Sequence, residues 1–406
     1  MPNAMPRNEF IALMAMLAAT VALSIDAMLP ALPAIGTELS PNDLNKAQLI
    51  ITSFVLGMGL GTFVAGPLSD TFGRKPVMLY GAVVYTLGAL IASKAQSIEV
   101  MLMARVLQGL GASGPRVVAM AVIRDLYAGR GMAKILSFTM LVFALVPAIA
   151  PLLGAIVIDI SGWRTVFYGF IVFSAISALW LAVRLPETLA PENRRSFRFH
   201  ALRSAAAEVL AHPIVHLSIL VQTLCLGMLF SMLASVQQIY DTTFDRADSF
   251  PLWFGLVAIL SANSSILNAT LVLRLGMMFL VRGMLIAQVI LTALMILLSF
   301  AATAGHVPPN LYFAGFLVWQ VSLFFQAGMT IGNLAAIAQE PMGHIAGMAA
   351  SVISAFATVG AVFLAAPVGL MFNGTPIPLA IAIFLEALAG LWLMRLMMQR
   401  DAQSVA

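Results

Sequence analysis

The chain has 406 residues, 61% of them hydrophobic and 9% charged. A soluble domain carries about 25% charged residues, so this composition excludes a water-solvated globule. The net charge of +4 sits on cations in short stretches between apolar runs and gives no reason to expect nucleic acid as a partner.

Apolar runs of about 20 residues recur along the chain, each able to cross a ~30 Å hydrocarbon layer as a helix. A membrane β-barrel needs segments of about ten residues alternating apolar and polar. These runs are apolar all round, so the barrel reading fails. In chain order the predicted spans are 10–33, 47–69, 77–95, 98–122, 135–158, 164–185, 213–238, 251–273, 283–303, 309–335, 344–370 and 377–398. The expected fold is an all-α polytopic membrane protein of about twelve transmembrane helices in two pseudo-symmetric six-helix bundles. The first run, Phe10 to Ile25, has the look of a signal peptide. Only Arg7 precedes it, beside Glu9, and no polar mature region follows, so we read it as an uncleaved span. Cys225 is the single cysteine and lies inside an apolar run, which excludes a disulfide within the chain.

One connection is long and polar, Pro186 to His212, with Arg194, Arg195, Arg198 and Arg203. It divides six spans from six. The expected organisation is an N-terminal bundle over 1–185, a cytoplasmic central loop over 186–212 and a C-terminal bundle over 213–406, with a substrate site between the bundles. With the N-terminus inside, the cytoplasmic side holds Arg7, Arg74, Lys75, Arg124, Arg130, Lys134, Arg184, Arg194, Arg195, Arg198, Arg203, Arg274, Arg282, Arg395 and Arg400. The other side holds only Lys46, Lys94, Arg164 and Arg246. That bias satisfies the positive-inside rule and places both termini in the cytoplasm.

Charges inside the spans are the candidates for chemistry. Asp26 lies deep in the first span, before Pro30 and Pro33. A carboxylate there costs several kcal/mol unless it is paired, hydrated or protonated. It reads as a proton carrier, or else as a packing residue bonded to a neighbour or facing a watery vestibule. Arg105 and Asp26 each lie about seven residues from the outer end of their spans, ~10 Å deep at about 1.5 Å per residue. They are therefore expected to meet or to share a wet space; a fixed ion pair is the other reading. Arg116, after Gly114 and Pro115, needs an acceptor that no nearby acid supplies. It either lines the substrate cavity or bonds to backbone carbonyls of a neighbouring helix. Pro147, Pro151 and Gly154 in the fifth span read as a hinge or seal, or as a static kink.

The turn Gly66-Pro67-Leu68-Ser69-Asp70-Thr71-Phe72-Gly73-Arg74-Lys75-Pro76 gathers charge at one membrane surface. Asp70, Arg74 and Asp125 are expected to cluster there, as a gate or as solvated loop charges. In the second half Gln222, Gln237, Trp319 and Gln326 are candidate cavity residues, with polar helix–helix contacts as the alternative. Glu386 is a further membrane-depth acid, expected to have a structural or lipid-edge role. No G-x-x-x-x-G-K-[ST] loop is present, and the five histidines show no metal spacing. No enzyme activity and no cofactor are expected.

The Gly66–Pro76 turn resembles the loop between helices 2 and 3 of the major facilitator superfamily. Further strings are similar to its Bcr/CflA branch, the twelve-helix drug:proton antiporters. They are Ser24 to Pro33, Arg105-Val106-Leu107-Gln108-Gly109, Ile123-Arg124-Asp125-Leu126-Tyr127, Ala150-Pro151-Leu152-Leu153-Gly154, Gly162-Trp163-Arg164 and Glu340 to Gly347. The resemblance implies Asp26 as the proton-coupling acid, Arg105 as the arginine tied to proton movement, and Asp70 with Arg74 as an inner gate partnered by Asp125. It casts Ala150-Pro151-x-x-Gly154 as the antiporter motif, whose usual outer glycines are Ala150 and Ala155 here. It implies a monomer in the bacterial inner membrane that exports amphiphilic antibiotics of the chloramphenicol or bicyclomycin type, powered by a proton gradient. The alternative on the same fold is proton-coupled or facilitated uptake of a small nutrient.

Overall fold

A computed structural model describes residues 5–194 and 199–405, apart from the side chains at 130, 133–134, 137, 140–144, 199, 201 and 404–405. Arg195 and Arg198, and the side chains of Arg130 and Lys134, lie outside what is described. The elements are α1 (Arg7–Asp26), α2 (Leu32–Leu39), α3 (Leu49–Phe72), α4 (Arg74–Ser93), α5 (Ile98–Leu126), α6 (Gly129–Ser161) and α7 (Arg164–Arg184). They continue as α8 (Phe199–Ala211), α9 (Pro213–Gln238), α10 (Phe250–Leu275), α11 (Met277–Thr303), α12 (Pro309–Gln339), α13 (Ala346–Leu370) and α14 (Ile377–Val405). No strand occurs among the described residues.

A helix satisfies its own backbone donors and acceptors, which is why helices are the outcome for apolar runs in lipid. Ten helical stretches are long and apolar enough to cross a membrane. One of them, Pro309–Leu370, is two helices joined by the 3-10 turn Glu340–Ile345. With the 33-residue α6, the described residues hold twelve spanning helices. The protein is an all-α, multi-pass membrane protein. Two differences from the sequence reading have local causes. The first span is not one helix: Pro30 lacks the N–H that would meet the Asp26 carbonyl, so α1 ends at Asp26. A 3-10 turn, Leu29–Ala31, then leads into α2. The stretch 186–212 is not a plain loop either, because it contains α8, 13 residues long.

The chain forms two compact units. The first comprises residues 1–42 and 53–202, the second 43–52 and 203–406. Within the first, α1 packs on α5, α6 and α7, and α4 packs on α5 and α7. Within the second, α9 packs on α12, α13 and α14, and α11 packs on α12 and α14. The pairings match element for element, as in a duplicated bundle. Lipid offers little hydrophobic drive between helices, so close backbone approach through small residues carries much of the packing. Gly57 and Gly61 of α3 face Val106 and Ser113 of α5, and Gly109 of α5 faces the Phe54 carbonyl. A Cβ at any of the three would overlap the facing helix. Large apolar side chains such as Ile160, Leu273 and Phe363 point outward, as a lipid solvent requires.

Candidate functional site

The end of α1 makes the first polar centre of the N-terminal unit. Asp26 is 4% exposed, and no ion pair among the described residues engages it. Two residues earlier, the Ser24 carbonyl accepts from Arg105 Nη2 at 2.9 Å, and the Ser24 hydroxyl shares a 2.6 Å hydrogen bond with Tyr85 Oη. Arg105 also donates to Gln108 Oε1 at 2.7 Å, and its guanidinium lies 4.5 Å from the centre of the Phe54 ring. Arg105 is fully buried. The structure thus brings Asp26 and Arg105 to the same end of α1, but the fixed ion pair is not formed. Residues two apart on a helix point to nearly opposite sides, so the Asp26 carboxyl leaves α1 away from the Ser24 hydroxyl. On α6, Gly154 abuts the break: a Cβ there would lie 2.2 Å from the Ala27 carbonyl oxygen. α6 runs unbroken through Pro147 and Pro151.

Arg116, near the middle of α5, is exposed, although its helix crosses the membrane. Its Nη1 donates to Met58 Sδ at 3.4 Å, a weak acceptor, and no backbone carbonyl holds it among the described residues. The reading in which it anchors a neighbouring helix through carbonyls is therefore corrected. Its remaining donors are open to an incoming acceptor.

The turn between α3 and α4 makes the second polar centre. Gly73 has φ +105°, a conformation that glycine adopts at little cost. A Cβ on it would also come within 2.5 Å of Glu187 Oε2. Arg74 donates through Nε to Asp125 Oδ2 at 3.1 Å, and through Nη1 to Asp70 Oδ1 at 2.5 Å and Ser69 Oγ at 2.7 Å. Ser69 in turn donates to the Gly66 carbonyl at 2.8 Å. Sequence reasoning expected Asp70, Arg74 and Asp125 to cluster; it missed Glu187. That carboxylate accepts from the backbone N–H groups of Arg74 at 2.9 Å and Lys75 at 3.1 Å, so it caps the N-terminus of α4. Thr188 adds a 3.0 Å bond to Asp125 Oδ2.

In the C-terminal unit the four candidate cavity residues are buried. Trp319 Nε1 donates to Thr292 Oγ1 at 3.0 Å, and Gln326 Nε2 to Thr330 Oγ1 at 2.8 Å. Trp319 thus makes a polar contact from α12 to α11, the alternative that the sequence left open, and Gln326 bonds within its own helix. Gln222 and Gln237 are also enclosed, each with an Oε1 that has no donor. A cluster of rings at one end of this unit was not foreseen: Tyr240, Phe244, Phe250, Phe313 and Phe316 meet edge to face or tilted, with Arg246 4.4 Å from the Phe313 ring centre. Among the described residues no group of acidic, histidine or cysteine side chains is placed to hold a metal ion.

Comparison with known proteins agrees with this arrangement. The family model described as "Major Facilitator Superfamily" matches residues 14–365. An uncharacterized MFS-type transporter, YdgK of Bacillus subtilis, is 25% identical over 96% of this chain and 95% of its own length. A chloramphenicol resistance protein of Pseudomonas aeruginosa is 30% identical, covering 84% of this chain and 78% of that protein. Among solved structures, the crystal structure of a D-xylose-proton symporter superposes with a TM-score of 0.74 over 96% of this chain and 97% of that one, at 13% identity. That likeness speaks for the fold alone.

Proposed function

Because this chain belongs to the major facilitator superfamily, a family of transporters rather than enzymes, we propose that it exports small amphiphilic drugs in exchange for protons. The route is alternating access, in which the halves over 1–185 and 213–406 expose a substrate site to one side of the membrane at a time. The membrane is the bacterial inner membrane, both termini face the cytoplasm, and the transporter works as a monomer. The similarity to a chloramphenicol resistance protein and the Bcr/CflA-like strings support a drug as cargo.

The observation that carries proton coupling is Asp26: a carboxyl at the break of a central helix, buried, with no cation paired to it among the described residues. A carboxyl so placed is stable only when neutral or hydrated. It takes a proton when it is opened to one side of the membrane and gives it up when it is opened to the other. Arg105 positions the end of α1 through the Ser24 carbonyl. Arg116 offers free donors to an acceptor-rich group on the cargo. The Asp70–Arg74–Asp125 cluster with Gly66 and Gly73 latches the cytoplasmic end, Gly154 lets α6 meet the break, and Pro147 and Pro151 serve α6 as hinge or seal.

The test is a panel of antibiotic susceptibilities in a pump-deficient bacterium expressing this chain. We expect a selective rise in tolerance to amphiphilic compounds, abolished by a protonophore and by Asp26→Asn. No rise for any compound, or a rise that survives the protonophore, would contradict the reading.

A further inference from the structure

Glu386 is used by nothing above. It sits on the stripe of α14 that also buries Leu379, Ile383, Ala387 and Met394, and it is 7% exposed. The lipid-edge role expected from the sequence is therefore corrected: the side chain points into the bundle. Gly227 of α9 provides the room. A Cβ at Gly227 would lie 3.4 Å from Glu386 Oε1 and 2.9 Å from Leu364 Cδ1 of α13.

The carboxyl takes part in no ion pair among the described residues, and its Oε2 is enclosed without a donor. The elements packed on α14 supply no neutralising charge. α9 presents the Cys225 thiol, which lies beside Gln326 and Thr330 of α12. The other titratable group of α9, His216, is exposed, as is Arg282, the single one of α11. α13 has none, and Tyr312 is the single one of α12. Two further acceptors of the same unit, Gln222 Oε1 of α9 and Gln326 Oε1 of α12, are also enclosed without a donor. An ionised carboxylate only accepts, and its charge at membrane depth costs several kcal/mol. A neutral carboxyl removes the charge and adds a donor.

We infer that Glu386 is a second proton-binding site, separate from Asp26, which keeps its proton while α9 and α14 enclose it and gives it to water that enters their seam. The inference concerns the C-terminal unit alone and holds whatever the cargo and direction of transport. A residue serving only as polar glue between helices would not exchange a proton, so exchange is what the experiment must read.

Full-length protein in lipid nanodiscs is followed by infrared spectroscopy across pH, as wild type, Asp26→Asn and Glu386→Gln. We expect a carbonyl band of protonated carboxyls in wild type, a component of it that persists in Asp26→Asn and is lost in Glu386→Gln, and reversible decay of that component as pH rises. If Glu386→Gln does not reach the membrane, Glu386→Asp gives the same reading through a shift of the band. Three results overturn the inference: a spectrum that substitution at 386 leaves unchanged; a band that the substitution removes but that stays constant with pH while the protein is folded; or a band that sodium abolishes at fixed pH, which would make the site a cation site.

Discussion

Arg105 shows how neutral groups help to support a buried cation: a backbone carbonyl, a glutamine oxygen and the face of a phenylalanine receive it. A lysine has a point charge and no planar fork, so it cannot keep both bonds and the stack. Arg105→Lys is expected to reach the membrane, to lose about 1.5–3 kcal/mol of stability in thermal unfolding, and to transport poorly. Unchanged stability would mean that the guanidinium geometry does not matter. Asp26 and Arg105 were legible in the sequence because a charge inside an apolar run stands out. Ser24, Tyr85 and Gln108 were not, because neutral polar groups recur in spans and acquire a role only when α1, α4 and α5 come together. Glu187 was hidden for a related reason: it follows α7 and reaches α4 across 113 residues of chain.

Two glycines set how closely neighbouring helices and turns approach. Gly154 lets α6 touch the backbone at the break after α1, and the facing Ala27 carbonyl oxygen, 2.2 Å from where a Cβ would be, cannot swing away as a side chain could. Gly154→Ala should destabilise the N-terminal unit by about 1–3 kcal/mol, the usual range for overpacking, and lower transport with it. A thermal unfolding midpoint equal to wild type would show that α6 yields freely. Gly73→Ala meets both a left-handed backbone and the Glu187 carboxylate. It should lower stability by about 1–3 kcal/mol, whereas Glu187→Gln, which keeps the shape and loses the charge at the start of α4, should lose about 0.3–1 kcal/mol. Equal losses for the two would argue against a separate backbone contribution. The spans themselves were readable from the length of their apolar runs. The break at Asp26 was not, since hydropathy stays high from 10 to 33 and only the position of Pro30 relative to a carbonyl explains it. The helix α8 was missed because its sequence is too short and mixed to stand out from the polar connection around it.

The two units repeat one pattern of helix pairing, yet their membrane-depth acids are not equivalent: Asp26 ends α1, the first helix of one unit, and Glu386 lies within α14, the last helix of the other. The frame repeats, and the ionisable groups on it do not. The polar stretch after the sixth span suggested a division there, and the compact units meet at residues 202 and 203, within that stretch. The grouping of residues 43–52 with the C-terminal unit was not legible, because it rests on side-chain amides such as Asn45, whose Nδ2 donates to the carbonyls of Leu370 and Phe372. Proton exchange at Asp26 remains the claim on which transport depends. The most direct measurement is proton flux in proteoliposomes loaded with a pH-sensitive dye, on addition of a compound selected by the susceptibility panel. Substrate should drive a proton movement in wild type and none in Asp26→Asn of equal abundance; an equal flux in the two, or substrate movement without protons in wild type, would contradict it.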